Sequence, residues 1–306
     1  MTQFFGVTSK NLTIITLNHF HFAVSALEHN TWFTKLRASG NSSKLNSDIC
    51  DRILGVVAKS ISLQELHLST IGARWDFGVK LSQAMNANPL CKLQILDFSC
   101  NFLEDKGVIP LGQVMAKLPK GMHHLNLSHC SLSTKGLNSL SQSLANNRMN
   151  TSTLTYLNLC GNTLKDDLHC LNAFLAQPNV LAILDLSSTE IPLDQLFPAL
   201  VRGCTNALTH LNLSRNHFST SKKTKDVTPT FKQFFASTLA LQYLNMSFCK
   251  IPPEGLKNLL LGKNRISRQM TIGQKMVCLQ FFRVTLRFDG KNLENSFFQV
   301  WQSMKH

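Results

Sequence analysis

Two kinds of residue in this 306-residue chain could carry chemistry: histidines beside carboxylates, and thiols. His123 and His124 with Asp97 suggest acid–base work. Consecutive strand residues point to opposite sides, however, so the two imidazoles cannot serve one centre. A His and an Asp on neighbouring strands of an open sheet are also solvated, without the burial that tunes a catalytic pKa. The nine cysteines (Cys50, Cys91, Cys100, Cys130, Cys160, Cys170, Cys204, Cys249 and Cys278) include no C-x-x-C pair, so a zinc site has no support. Their odd number and long spacings fit free thiols in a reducing compartment. No G-x-S-x-G, phosphate-binding loop or H-E-x-x-H occurs. The expectation is a protein without enzymatic activity, cofactor or metal.

A third set suits recognition. Polar and aromatic residues recur two apart at intervals near thirty: Glu65 and His67, Asp97, His124 and Asn126, Tyr156 and Asn158, Asp185, His210 and Asn212, Tyr243 and Asn245. Tyr and His are common contact residues at protein interfaces. The competing reading is a solvated sheet whose repeated Asn and Asp suit strand edges.

What positions these residues is a phrase, L-x-x-L-x-L-x-x-N/C/T-x-L. It begins at 63, 93, 122, 154, 181, 208 and 241, with spacings of 30, 29, 32, 27, 27 and 33. The leucine positions must point inward from a short strand, because one such unit cannot bury its apolar face and depends on stacking against its neighbours. The recognition residues then fall at the third and fifth positions, outward on the sheet. The ninth position is Ile71, Asn101, Cys130, Asn162, Thr189, Asn216 and Cys249. All but Ile71 can bond loop amides that would otherwise be buried unpaired, at a cost of roughly 1–3 kcal/mol each.

The second half of each unit reads as helix. Leu111, Met115 and Leu118 are spaced by four and three, with Pro119 as the expected stop. Leu137, Leu140 and Leu144 follow the same rule, and Pro252-Pro253 opens a further helix. Alternating strand and helix at this repeat length define the fold: α/β, a leucine-rich-repeat solenoid shaped as a horseshoe, with parallel strands on the concave face and helices on the convex face.

The ends differ. Phe33-Thr34-Lys35-Leu36 looks like a degenerate repeat, preceded by a capping helix around Phe22–Leu27. The expected organisation is an N-terminal segment over 1–32, repeats over 33–262, and a divergent basic tail or irregular cap over 263–306. A polar insertion from His217 to Thr230 carries Lys222, Lys223 and Lys225, and residues 264–306 hold seven Lys/Arg against two Asp/Glu. The formal net charge of +14 favours acidic partners. Weak contact with an acidic membrane surface through this loop and tail is one expectation; the charge is otherwise scattered, as on a solvated surface, and nucleic acid is disfavoured. The N-terminus lacks the early positive charge of a signal peptide, and no apolar run is long enough to cross a bilayer. The expected location is cytoplasmic, cytoskeleton-associated or at the inner face of the plasma membrane.

The repeat length and phrase resemble the ribonuclease-inhibitor-like class. Several runs are similar to the CARMIL family, the linkers of actin capping protein, an actin nucleator and myosin-I. They are Asn30–Leu36 (NTWFTKL), Lys117–Gly121 (KLPKG), Ser139–Leu144 (SLSQSL), Phe174–Asn179 (FLAQPN) and Phe231–Phe235 (FKQFF), in family order over about residues 22–262. The resemblance implies a protein-binding scaffold of the actin cytoskeleton and cell migration. It also implies a preceding lipid-binding domain, and a following dimerisation segment and capping-protein-binding tail. None of these can be read here, so a partial or truncated member is expected. The alternative is another ribonuclease-inhibitor-like module, such as a ribonuclease inhibitor or a GTPase activator. An activator would need an arginine aimed at the nucleotide, and none stands at the third and fifth positions of the seven repeats.

Overall fold

The second leucine of every phrase meets its counterpart in the next: Leu66, Leu96, Leu125, Leu157, Leu184, Leu211 and Leu244 are paired in register across adjacent strands. This stacking organises a computed structural model describing residues 5–8, 11–15, 31–39, 47–165, 167–218 and 229–249. Its ten strands form one sheet in sequential order. They are β1 (Phe5–Thr8), β2 (Asn11–Ile15), β3 (Lys35–Ser39), β4 (Glu65–His67), β5 (Ile95–Asp97), β6 (His124–Asn126), β7 (Tyr156–Asn158), β8 (Ile183–Asp185), β9 (His210–Asn212) and β10 (Tyr243–Asn245). β1 and β2 are antiparallel, and β2 to β10 run parallel. The degenerate repeat at Phe33 is present as β3, with Leu36 in register with Leu66. β1 and β2 have no leucine phrase and are not foreshadowed by it. The expected helices at 22–27 and from Pro252, most of the lysine loop, and the basic tail lie outside the described residues.

Parallel neighbours need a crossover, and helices supply it. They are α1 (Ser47–Lys59), α2 (Trp75–Ala87), α3 (Glu104–Met115), α4 (Thr134–Asn146), α5 (Arg148–Thr153), α6 (His169–Leu175), α7 (Leu193–Gly203) and α8 (Pro229–Ser237). Leu137, Leu140 and Leu144 are all buried, as their spacing predicts. α3 stops at Met115, before Pro119, where Ala116 N–H returns to the Gly112 carbonyl and a turn replaces the last expected helical residues. The short helix α5 fills the 32-residue spacing, which had no assigned insertion. α2 and α3 approach closely: a Cβ on Gly78 would lie 2.8 Å from the Gly107 carbonyl oxygen. Phe197, Phe231, Phe234 and Phe235 close the last described layers with edge-on ring contacts.

The ninth positions alternate. Asn162 accepts from the Cys130 and Leu132 amides at 3.1 and 3.0 Å and donates to the Leu127 and Leu159 carbonyls, both at 2.8 Å. Asn101 makes the same four bonds with Ile71, Ala73, Leu68 and Phe98, and Asn216 with Thr189, Ile191, Leu186 and Leu213. Each asparagine therefore ties its own turn to the preceding one. The repeats between carry a smaller donor: Cys130 Sγ reaches the Phe98 carbonyl at 3.1 Å, Cys249 Sγ the Leu213 carbonyl at 2.9 Å, and Thr189 Oγ1 the Leu186 carbonyl at 2.6 Å. A second ladder runs along the helix C-termini. Asn88 donates to the Val57 and Ser60 carbonyls, and Asn147 to those of Met115 and Leu118.

Asn162→Ala would orphan two amides and two carbonyls in a site with 2% exposure. A loss of at least about 3 kcal/mol is expected in urea unfolding, against about 1 kcal/mol for Cys130→Ala, which removes one weak donor. Equal losses would mean that the asparagine does not bridge the turns.

Candidate protein-binding face

The third and fifth positions lie on one face of β3 to β10, and the two rows differ in what they do. In the fifth row, the side-chain oxygen accepts from a backbone N–H two residues on. Asp97 accepts from Ser99, Asn126 from Ser128, Asn158 from Cys160, Asp185 from Ser187, Asn212 from Ser214 and Asn245 from Ser247, at 2.9–3.2 Å. Where a serine follows, its hydroxyl donates to the same oxygen. These Asx turns steer the chain out of each strand. The residue next in line, at the eighth position, has positive φ in all seven repeats, and only Gly161 among them is glycine. Most of the fifth row is thus committed to the turn. Its amide nitrogens have partners of their own in two cases: Asn158 Nδ2 donates to the Tyr156 hydroxyl at 3.3 Å and Asn212 Nδ2 to Asp185 Oδ2 at 3.0 Å.

His67 departs from the row. Expected to face solvent, it is 9% exposed. Its Nε2 lies 3.1 Å from Glu65 Oε2 and its Nδ1 4.0 Å from Asp97 Oδ2, while Lys35 Nζ approaches Glu65 at 2.8 Å. Glu65 and Asp97, on adjacent strands, flank the imidazole. Burial opposes the charge on Asp97, but His67 and the Ser99 amide and hydroxyl outweigh it and hold the pKa at about 2. At 4.0 Å the His67 contact is electrostatic, so the Ser99 bonds at 3.0 and 2.7 Å are the stronger direct support. Burial likewise opposes ionisation of Glu65, and hydrogen bonds from Lys35 and His67 more than offset it, leaving its pKa lowered.

The third row carries two stacked ring pairs. His124 stacks on Tyr156 with ring centroids 3.8 Å apart and planes 2° from parallel. His210 and Tyr243 repeat the pair more loosely, at 5.8 Å and 25°. Burial lowers the His124 pKa, which favours a neutral ring in the stack. Ile183 lies between the pairs, in register with Tyr156 and His210. Asp97 is in register with Asn126 and diagonal to His124; its charge acts to raise the His124 pKa, but burial outweighs it. The close carboxylate–histidine group is Glu65–His67–Asp97, with Lys35 on Glu65.

β3 adds residues that the seven phrases do not contain. Lys35 and Arg37 are in register with Glu65 and His67, and Arg37 is exposed. The rows therefore do contain an arginine, which corrects the premise used against a GTPase activator. Leu36 was the available signal: once Phe33–Leu36 is taken as a repeat, its third and fifth positions follow. The buried ninth-position thiols are inert, with burial pushing Cys130 up to about 12 and Cys249 to about 11. Among the described residues all eight cysteines are free, and no cluster could hold a metal ion.

Stacked strand–helix units, an inward leucine column and a buried Asn/Cys/Thr ladder define a leucine-rich-repeat protein of the ribonuclease-inhibitor-like class. The description "CARMIL family, LRR domain" matches residues 7–294, and the chain belongs to that family. The match extends beyond the 22–262 span carried by the short runs. The chain is 40% identical over 242 residues to human "Capping protein, Arp2/3 and myosin-I linker protein 3", covering 78% of this chain and 17% of that protein. It is 35% identical over 244 residues to the mouse linker protein 2, covering 78% and 16%. To "Protein CARMIL" of Dictyostelium discoideum it is 28% identical over 267 residues, covering 84% and 25%. The chain thus matches only a quarter or less of each relative's length.

Asp97→Asn should keep the Asx turn and lose only the charge. Because the folded pKa is lowered, the charge contributes stability above the ordinary carboxylate pKa, and that contribution is lost as pH falls toward about 2. Urea unfolding should show the variant weaker by about 1–2 kcal/mol at neutral pH, with the gap closing near pH 2. A gap that persists at that pH would assign the effect to packing.

Proposed function

We propose that this chain is a non-enzymatic protein-binding scaffold of the actin cytoskeleton, working in the cytoplasm. Its contact surface is the third-position row of the concave face. The observation that carries the reading is the division between the rows. Most of the fifth row is committed to turn formation, whereas the rings of His124, Tyr156, His210 and Tyr243 form half-exposed aromatic pairs. Tyr side chains give large contact area for little lost conformational freedom, and they dominate binding energy when buried by a partner. Family membership supplies the cytoskeletal context. The printed names of the linker relatives identify capping protein, Arp2/3 and myosin-I as the first candidates to test.

Each of these three purified partners should be titrated against the chain, with at least one expected to bind. Replacing Tyr156 and Tyr243 together with alanine should then weaken that binding by at least about tenfold. Asn245→Asp, which keeps the turn-forming oxygen, should change it by less than about twofold. Loss of binding in the fifth-row variant with full retention in the double tyrosine variant would reverse the assignment of the rows. No binding to any of the three would remove the cytoskeletal partner reading.

A further inference from the structure

Among the described residues, the two edges of the solenoid differ in charge. On the edge where helices return to strands, the second-position residues form one hydrogen-bonded row. Gln94 N–H donates to Gln64, His123 to Gln94, Thr155 to His123, Ala182 to Thr155, Thr209 to Ala182 and Gln242 to Thr209. The turns of that edge are thereby held in line. Residues 59–64, 86–94, 116–123, 146–155, 176–182, 203–209 and 237–242 contain no aspartate or glutamate. They do contain exposed Lys59, Lys92, Lys117, Lys120 and Arg148. The opposite edge, where strands pass to helices, carries Asp76, Glu104, Asp105, Asp167, Glu190 and Asp194 among its basic residues.

At that other edge Trp75, Phe102 and Phe248 are exposed among the acidic residues. The acid-free edge also exposes single large apolar side chains in five of its seven turns: Ile61 at 43%, Leu90 at 60%, Met149 at 44%, Val180 at 37% and Leu239 at 51%. Because the row's backbone bonds run from turn to turn, these side chains are not needed to complete them.

We propose that this edge is a docking surface for an anionic lipid bilayer. Lysines and arginine meet the headgroup charge, and the separated apolar side chains enter the interfacial layer. Charge complementarity selects the occupant class, and the spacing selects the bilayer within it. A protein hot spot needs a clustered, water-excluding centre. A bilayer instead accepts apolar side chains one at a time, at any spacing along a line. Its residues are separate in sequence from the lysine loop and the basic tail, and it is an edge of the solenoid apart from the concave face.

The test is co-sedimentation of the full chain with vesicles of phosphatidylcholine and phosphatidylserine, against pure phosphatidylcholine, with folding of each variant checked by circular dichroism. Binding should require phosphatidylserine. Lys92→Glu with Lys120→Glu should weaken it by at least about tenfold. Lys135→Glu with Lys165→Glu makes the same net-charge change on the other edge and should cost less than about twofold. Leu90→Ser with Met149→Ser, which alters no charge, should weaken binding several-fold. Wild-type binding by the Lys92/Lys120 variant would assign any lipid contact to the loop or tail and overturn the proposal. So would equal losses from the two edges, or an unaffected Leu90/Met149 variant. Capture of a polyglutamate peptide without vesicle binding would overturn it too, in favour of an acidic protein segment.

Discussion

A buried side-chain amide that bonds two turns at once is the interaction on which the rest of this molecule depends. Stacking leucines would collapse any apolar stripe, but collapse alone leaves the loop amides behind each strand without water or partners. Asn101, Asn162 and Asn216 satisfy two amides of the preceding turn and one carbonyl in each of the two turns. That arrangement holds the strands in register. Register in turn assigns the third and fifth residues of every strand to one outward face and all the returning turns to one edge. Both the concave rows and the basic edge inherit their geometry from this ladder.

The leucine phrase made the core legible, because three inward positions and one turn position per repeat are constrained by burial alone. The ninth position was also readable as a bonding site, since Asn, Cys and Thr share the ability to donate to a carbonyl. The outward residues were harder to read. Asp97, Asn126 and Asn245 look like a polar recognition ladder in sequence, yet an Asx turn and a binding surface demand the same residue types. Only the hydrogen bonds to Ser99, Ser128 and Ser247 separate the two. His67 was misjudged for a different reason. Its burial follows from Glu65 and Asp97 converging on it, and Asp97 lies thirty residues further along the chain. Local pattern cannot report such a meeting. β1 and β2 escaped notice because they carry no leucine phrase.

The opposing surfaces follow one logic. Wherever a turn's backbone is completed by its neighbours, its outward side chains are released from structural duty. On the concave face that release gives the His–Tyr pairs. On the edge it gives exposed Leu90 and Met149 among lysines. Where the backbone needs help, as at the strand exits, the side chains are polar, short and engaged.

The alternation of Asn with smaller or apolar residues at the ninth position makes a pair of turns the smallest bonded unit of the array. Each asparagine takes two N–H groups from the turn before it, whose own ninth side chain is Ile71, Cys130 or Thr189. A fault at one asparagine therefore unties two turns at once, whereas a fault at an intervening cysteine or threonine removes a single donor.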